Sequence, residues 1–175
     1  MIEDTPMVDM IVSFADATIV KAMKSAEALV KPEDAPTYEG HYVILCDKPT
    51  PSEANNNYPN LKYNNLYVWY NGTSASGIRG RLKDHLFRSP KNRIKKGSCN
   101  GIRVTRNYST QALSQNFKQN SDGSFFELGI DIREPLWADY NFYIVTQHSG
   151  LLSNILEQRF REVIGKPALI RSVAR

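Results

Sequence analysis

The chain has few cysteines, few histidines and no long apolar run, and each scarcity excludes a class of protein. Its 175 residues include two cysteines, Cys46 and Cys99, which are too few for a disulfide framework or a cysteine zinc site. The three histidines, His41, His85 and His148, do not have the spacing of a zinc finger. No stretch of about 18 apolar residues occurs, and the first residues do not form a secretory signal segment. We therefore expect an intracellular, cytoplasmic protein without a membrane span.

Several motifs of nucleotide-binding and DNA-cutting proteins are also missing. The sequence contains no glycine-rich phosphate loop and no dinucleotide-binding fingerprint. It also contains no acidic residue followed two positions later by a lysine, a pair that the common restriction-enzyme core needs. With 41% apolar residues, the chain can bury one sizeable core but is short for two domains.

Hydrophobic patterns predict three strands and three helices. Short apolar runs with aromatic or β-branched residues predict strands at Tyr42–Cys46, Leu66–Tyr70 and Asn141–Val145. Apolar residues at three- and four-residue spacing predict helices over 14–30, about 77–88 and about 152–163. We expect the first two strands to be antiparallel neighbours.

Composition predicts a short extension followed by one domain. Residues 1–36 are predicted to form an N-terminal helical extension and a linker, which begins after the first helix and contains Pro32 and Pro36. The domain then occupies 37–175, with insertions at about 47–65 and 89–136. The first insertion is rich in asparagine, and the second is basic and then polar.

Basic residues are concentrated in one part of the chain. Between Arg79 and Arg106 there are ten lysines and arginines against one acidic residue, Asp84, whereas the net charge of the whole chain is only +4. Polyanions gain affinity when lysine and arginine displace their condensed counterions. A solvated loop is the alternative interpretation of such a block. If the block binds DNA, the residues expected to contact it are Arg79, Lys83, Arg88, Lys91, Arg93, Lys95, Lys96, Arg103 and Arg106.

A group of polar residues accompanies the predicted strands and the second helix. Arg81 and His85 are four residues apart in that helix, so their side chains share one face and can act on one ligand. Tyr42 and Tyr70 lie in the first two strands, each two residues from a glycine. Core packing is the alternative for the tyrosines, and a solvent-facing surface is the alternative for Arg81 and His85.

Four short motifs occur in a fixed order: Gly40-His41-Tyr42, Tyr70-Asn71-Gly72, Arg81-Leu82-Lys83-Asp84-His85, and Glu157 on the last predicted helix. Together they resemble the GIY-YIG nuclease family over roughly residues 40–169. His41 and Asn71 stand where the family has aliphatic residues, and no asparagine follows the Lys166-Pro167 pair. The resemblance implies an α+β fold in which helices flank a small three-stranded, mainly antiparallel sheet, here with an N-terminal helix and large insertions.

The resemblance also implies one phosphodiesterase site. Glu157 would hold Mg²⁺, with Mn²⁺ able to substitute, and Arg81 would stabilise the charge that develops on the phosphate. Tyr42 is the preferred general base, its acidity raised by neighbouring cations, while His85 orients the water or relays the proton and Tyr70 holds a phosphate oxygen. The division of these roles among Tyr42, Tyr70 and His85 stays open. Without the other motifs, Glu157 would be interpreted as a surface carboxylate paired with Arg161.

The implied function is cleavage of double-stranded DNA. The long connection between Tyr42 and Tyr70 resembles the form seen among type II restriction endonucleases of this family, and a palindromic target would imply a homodimer. A structure-specific repair or homing nuclease and a non-catalytic DNA-binding module are the alternatives. The residues proposed to read bases are Asn92, Arg93, Asn100, Arg103, Arg106, Asn107 and Gln111.

Overall fold

An antiparallel sheet forms the centre of the molecule. A computed structural model describes residues 5–52, 54, 56–88, 103–106 and 125–170. The strands of this sheet are β1 Glu27–Ala28, β2 Gly40–Cys46, β3 Leu61–Tyr63, β4 Leu66–Ser74 and β7 Phe142–His148. They lie in the order β1-β7-β2-β4-β3, and every neighbouring pair is antiparallel. Two further strands, β5 Arg103–Arg106 and β6 Phe125–Leu128, form a separate antiparallel pair.

The central sheet has five strands, so the expectation of three is wrong. The three predicted strands exist as β7, β2 and β4, and they form the middle of the sheet. The additional strands β1 and β3 are edge strands of two and three residues. Such short strands follow from main-chain pairing with a neighbour that is already in place, and they leave no hydrophobic pattern of their own.

Three α-helices are found in the described part of the chain: α1 Thr5–Ala22, α2 Ile78–Leu86 and α3 Ser153–Val163. The second and third confirm the sequence predictions closely. The first helix was predicted over 14–30, which is wrong at both ends. Its chain turns after Ala22, where the Ser25 amide donates to the Ala22 carbonyl, and then enters β1. None of the described helices is long and apolar enough to cross a membrane.

The sheet separates two hydrophobic clusters. Every residue of β2 is buried, because β2 lies between β7 and β4 and is covered on both faces. Tyr42 and Ile44 face the cluster that contains the apolar residues of α2, whereas Val43 and Leu45 face the cluster that contains those of α3. This alternation is the two-residue period of a strand, and it determines which functional side chains share a face.

The N-terminal segment is attached to the domain at two places. Asp16 of α1 forms a two-point ion pair with Arg159 of α3, with both nitrogen–oxygen distances at 2.8 Å. Further along, the Leu29 amide donates to the Phe142 carbonyl next to the pairing of β1 with β7. The segment therefore contributes both a helix and an edge strand to the fold.

Candidate active site

Tyr42 and His85 meet on the α2 side of the sheet. The Tyr42 hydroxyl on β2 and His85 Nε2 on α2 are 2.8 Å apart, and both side chains are buried. Strand alternation turns Tyr42 toward α2, while the buried residues Ile78 and Leu82 fix the face of the helix that carries His85. The sheet and α2 thus assemble a tyrosine–histidine pair from residues far apart in sequence.

Tyr70 joins this pair from β4. Its ring centroid is 4.9 Å from that of His85 and 6.3 Å from that of Tyr42. β2 and β4 are paired antiparallel, with Tyr42 opposite Gly72 and Ile44 opposite Tyr70, so both tyrosines lie on the same face. Three of the predicted site residues are therefore neighbours.

His85 is neutral near pH 7. Burial lowers its pKa to about 3, and the positive charges of Arg81 and Arg88 act in the same direction. A neutral imidazole has one ring nitrogen free to accept a hydrogen bond. His85 Nε2 can therefore accept the Tyr42 proton when Nδ1 carries the ring hydrogen.

Arg81 is the fourth predicted residue in this group. It is half-buried, and although burial lowers its pKa, the adjacent Tyr42 and Tyr70 raise it by more, so the guanidinium stays charged. Because Arg81 and His85 are one helical turn apart, both side chains approach Tyr42 from the same face of α2. The site has a fixed cation beside its hydroxyl groups.

The prediction that neighbouring cations lower the pKa of Tyr42 is wrong. Burial raises the pKa of Tyr42 above its ordinary value of 10.0, and nearby Tyr70 and Glu157 also raise it, whereas Arg81 lowers it. Loss of water around the phenolate outweighs the attraction of the one adjacent guanidinium. Tyr42 therefore keeps its proton at neutral pH, and its hydrogen bond to His85 becomes the main chemical feature of the pair.

Gly72 leaves the space that the Tyr42 ring occupies. A Cβ atom at Gly72 would lie 2.7 Å from the Tyr42 hydroxyl oxygen and 3.1 Å from a ring carbon of Tyr70. Gly40 allows a similar close approach, since a Cβ there would lie 1.9 Å from the main-chain oxygen of Gln147. Gly72 thus has a steric role in placing the two tyrosines, whereas Gly40 allows β2 to approach the main chain of β7 closely.

Glu157 lies on the other side of the sheet from the first four residues. It belongs to α3, and its Oε2 accepts a hydrogen bond from the Thr73 hydroxyl at 3.3 Å. Its Oε1 is 2.9 Å from Arg161 Nη2, which is the ion pair foreseen as the alternative interpretation of this residue. Glu157 is close enough to influence the pKa of Tyr42, but strand β4 lies between them. The structure therefore brings four predicted residues together and places the fifth across the strand.

A polar network that includes the buried residues His41 and Asn71 lies beside Glu157, and the sequence did not reveal it. His41 Nε2 is 3.1 Å from Asn71 Nδ2, and His41 Nδ1 is 3.0 Å from Gln147 Oε1. Asn71 Oδ1 accepts a hydrogen bond of 3.0 Å from Arg161 Nε. The available indication was the presence of His41 and Asn71 inside otherwise apolar strands, at positions where aliphatic residues were expected.

Among the described residues, the Glu157 carboxylate and the Thr73 hydroxyl are neighbouring oxygen groups beside α3 that could face a divalent cation. The Glu157 side chain is 26% exposed, and its Oε2 accepts the 3.3 Å bond from Thr73. One carboxylate with several retained waters is the arrangement that Mg²⁺ accepts. The described residues form no cluster of three or more acidic, histidine or cysteine ligands. Glu157 is therefore the described residue that could hold a Mg²⁺ ion, with waters as its further ligands.

The predicted DNA-binding residues are only partly within the described chain. Lys83 is exposed on α2, Arg88 is half-buried just after it, and Arg79 donates from Nε to the Ala35 carbonyl at 2.8 Å. Arg103 and Arg106 lie in β5, whose main chain alone is described. The residues outside the described ranges are Lys91, Arg93, Lys95 and Lys96, together with the proposed base-reading residues Asn92, Asn100, Asn107 and Gln111.

No protein-family model, curated protein or solved structure matches this chain. Any assignment of function therefore depends on the motifs and on the geometry in which the fold places them.

Proposed function

We propose that the protein is a metal-dependent DNA endonuclease of the GIY-YIG type. The observation that carries this proposal is the 2.8 Å contact between the Tyr42 hydroxyl and His85 Nε2, with Tyr70 beside it. The two motif tyrosines and the motif histidine were predicted separately, from three segments. Their meeting around one half-buried arginine, Arg81, supports a common chemical task better than core packing, which would need no charged group.

Hydrolysis of a phosphodiester needs positive charge and a proton acceptor. The reaction adds negative charge at the phosphate oxygens, and Arg81 would stabilise that charge with a planar guanidinium. As the attacking water transfers its proton to the Tyr42 oxygen, the Tyr42 proton would pass to His85 Nε2. The negative charge of the bound phosphate favours the imidazolium, so substrate binding raises the pKa of His85 and improves it as an acceptor.

Tyr70 and Glu157 complete the proposed site. The Tyr70 hydroxyl would hold a phosphate oxygen from the same face as Tyr42. Glu157, supported by Thr73, would hold Mg²⁺ or Mn²⁺, which supplies charge neutralisation at the phosphate and at the leaving oxygen when bound. Arg161 would have to share the Glu157 carboxylate with that cation, because it is paired with Oε1.

Double-stranded DNA is the proposed substrate because of the basic block that begins in α2 and continues after it. Ten basic residues and one acidic residue between Arg79 and Arg106 suit a polyanion, and Lys83 and Arg88 place the start of the block beside the tyrosine–histidine pair. We further propose that the enzyme is a type II restriction endonuclease acting as a homodimer in the cytoplasm. Two copies would place two sites on the two strands of a palindrome.

A non-catalytic DNA-binding protein is the second candidate function. The observation that favours it is the ion pair between Glu157 and Arg161, which would occupy the carboxylate in a protein that never binds a metal. In that case Arg81 and the basic block would hold DNA without cutting it. A repair or homing nuclease would keep the catalytic site and differ only in its substrate.

Digestion of a long DNA of mixed sequence distinguishes these candidates. Purified wild-type protein is incubated with the DNA at low salt, with Mg²⁺, with Mn²⁺ or with a chelator. We expect discrete fragments in the presence of either metal and none with chelator. Smears, or cleavage of branched substrates only, would favour a repair or homing nuclease. Metal-independent binding without any cleavage would favour the non-catalytic candidate.

A further inference from the structure

Asn71 is a buried amide at the boundary between the two halves of the candidate site. Its neighbours in the chain both belong to the tyrosine half, since the Tyr70 ring lies beside that of His85 and Gly72 leaves room for Tyr42. Asn71 itself faces the opposite side of β4, toward α3 and Glu157. Tyr70 and Gly72 therefore face the side of the sheet that carries Tyr42, whereas Asn71 between them faces the side that carries Glu157.

The hydrogen bonds of Asn71 use both ends of its amide group. Nδ2 donates to the main-chain oxygen of Glu157 at 3.2 Å and lies 3.1 Å from His41 Nε2. Oδ1 accepts from Arg161 Nε at 3.0 Å, and the Asn71 main-chain oxygen is 3.4 Å from Arg161 Nη2. The same Arg161 Nη2 is 2.9 Å from Glu157 Oε1. Asn71 thus contacts Glu157 directly through the helix backbone and indirectly through Arg161.

His41 fixes which way the amide faces. His41 is buried, and burial lowers its pKa to about 4, so it is neutral near pH 7. With hydrogen on Nδ1, it donates to Gln147 Oε1 and leaves Nε2 to accept from Asn71 Nδ2. The reversed amide would bring an oxygen toward the main-chain oxygen of Glu157 and a hydrogen donor toward Arg161, so it is disfavoured. One orientation of the Asn71 amide satisfies its three side-chain contacts, with His41, the Glu157 main-chain oxygen and Arg161.

We propose that Asn71, held by His41, is a positioning residue that sets where Glu157 binds a divalent cation relative to Tyr42. This inference rests on the proposed nuclease function and deepens it. An aliphatic residue at position 71 could pack against α3, but it could not anchor Arg161 or the Glu157 main chain. Groups that orient a metal ligand typically change metal affinity or activity by about 10- to 100-fold when they are removed.

The test is the Mg²⁺ dependence of DNA cleavage by Asn71→Ala and Asn71→Leu. We expect both variants to need about 10- to 100-fold more Mg²⁺ for half-maximal cleavage, with DNA affinity in chelator unchanged. Direct titration with Mn²⁺, followed by electron paramagnetic resonance, should show the same loss of affinity without any DNA present. His41→Leu should shift the Mg²⁺ requirement in the same direction and by less, because it removes only the bond that orients the amide.

Thr50→Val is the matched control. Thr50 is a buried polar residue beyond the other end of β2, where its hydroxyl bonds Asn60 and Asn56. The Thr50→Val substitution should lower the thermal unfolding temperature without changing the Mg²⁺ concentration needed for half-maximal cleavage. If Asn71→Ala keeps the wild-type Mg²⁺ and Mn²⁺ dependence while wild-type protein cleaves DNA, the positioning role is wrong and the nuclease function stands. If wild-type protein neither cleaves DNA nor binds Mn²⁺, the nuclease function itself is wrong.

Discussion

At the scale of single residues, the Tyr42 hydroxyl is the group on which the proposed chemistry depends most. Tyr42→Phe removes this oxygen and leaves His85 Nε2 without its 2.8 Å partner. We expect cleavage to fall by about 100-fold or more, because positioned proton transfer contributes on that order. The cost in stability should be about 1 to 3 kcal/mol, the usual penalty for a buried polar group that loses its partner. Single-turnover cleavage and urea unfolding measure the two effects.

Tyr38→Phe provides the control for that substitution. The Tyr38 hydroxyl also makes one hydrogen bond of 2.8 Å, to Thr146, but it is not part of the proposed site. Its loss should leave the cleavage rate within about twofold of wild type. Equal losses of activity in the two variants would contradict a specific role for Tyr42.

The two buried histidines predict how stability depends on pH. The pKa values of His41 and His85 in the folded protein are about 4 and about 3, below the value of 6.5 expected when the chain is unfolded. The unfolded chain therefore binds more protons as the pH falls below 6.5, so stability is full above that pH and is lost on acidification. Each histidine should contribute a slope of up to about 1.4 kcal/mol per pH unit between pH 6 and 4.5.

Urea unfolding between pH 7 and 4.5 measures this slope. Replacing either buried histidine with glutamine should flatten it, even though the variant is less stable at pH 7. His148 is exposed, so His148→Gln should leave the slope unchanged. A slope as steep as that of wild type in both the His41 and the His85 variants would show that other groups cause it.

At the scale of secondary-structure elements, two glycines in the site region should respond in opposite ways to the same change. Gly72→Ala places a Cβ 2.7 Å from the Tyr42 hydroxyl oxygen, so the ring must move away from His85. We expect a loss of cleavage similar to that of Tyr42→Phe and a destabilisation of about 1 to 3 kcal/mol from overpacking. Cleavage rates and unfolding free energies of the variant test this expectation.

Gly80→Ala is the counterpart on α2. Apart from its own helix backbone and chain neighbours, nothing lies within 4 Å of a Cβ placed at Gly80, and the residue is exposed in the helix. Alanine should stabilise the protein by up to about 1 kcal/mol through its higher helix propensity, with cleavage retained. A Gly72→Ala variant as active as Gly80→Ala would mean that the placement of Tyr42 is not important.

Strong local patterns explain which elements could be predicted from the sequence. β2, β4 and β7 each contain a short apolar run, and α2 and α3 contain an apolar repeat of helical period. All five form at the predicted places, although β4 continues four residues beyond its predicted end. α1 was misplaced because apolar residues continue at helical spacing beyond Ala22, whereas the chain turns there and pairs with β7. The decision between helix and strand for Glu27–Ala28 depends on a partner more than 100 residues away, which a local pattern does not contain.

The candidate site was predictable only in part, for a similar reason. Tyr42, Tyr70, Arg81 and His85 belong to short motifs with characteristic spacing, and they meet on one face as those motifs suggested. The separation of Glu157 by β4 and the network of His41 with Asn71 and Arg161 depend on strand register and helix packing. The raised pKa of Tyr42 has the same origin, since it results from burial and not from neighbouring charge in the sequence.

At the scale of the whole molecule, the basic block should control the affinity for DNA. Binding measured in chelator should weaken steeply with salt, and the slope should decrease by about one for each phosphate contact removed. Lys83→Ala and Arg88→Ala each remove one basic side chain on or just after α2 and so test one such phosphate contact. Lys24→Ala, an exposed residue just after α1, is the control and should leave the slope unchanged. A salt-independent affinity for DNA would contradict the role of the block.

The central claim is that residues on both faces of the sheet form one metal-dependent site that cuts DNA. Single-turnover cleavage by Arg81→Gln and Glu157→Gln tests it most directly, with DNA affinity measured in chelator for each protein. The neighbouring exposed residues Lys83 and Gln158 provide Lys83→Gln and Gln158→Ala as controls. We expect Arg81→Gln and Glu157→Gln to lose cleavage by about 1,000-fold or more while both still bind DNA, and the controls to keep cutting at saturating protein. Full activity of Glu157→Gln, or cleavage by wild-type protein in chelator, would contradict the claim.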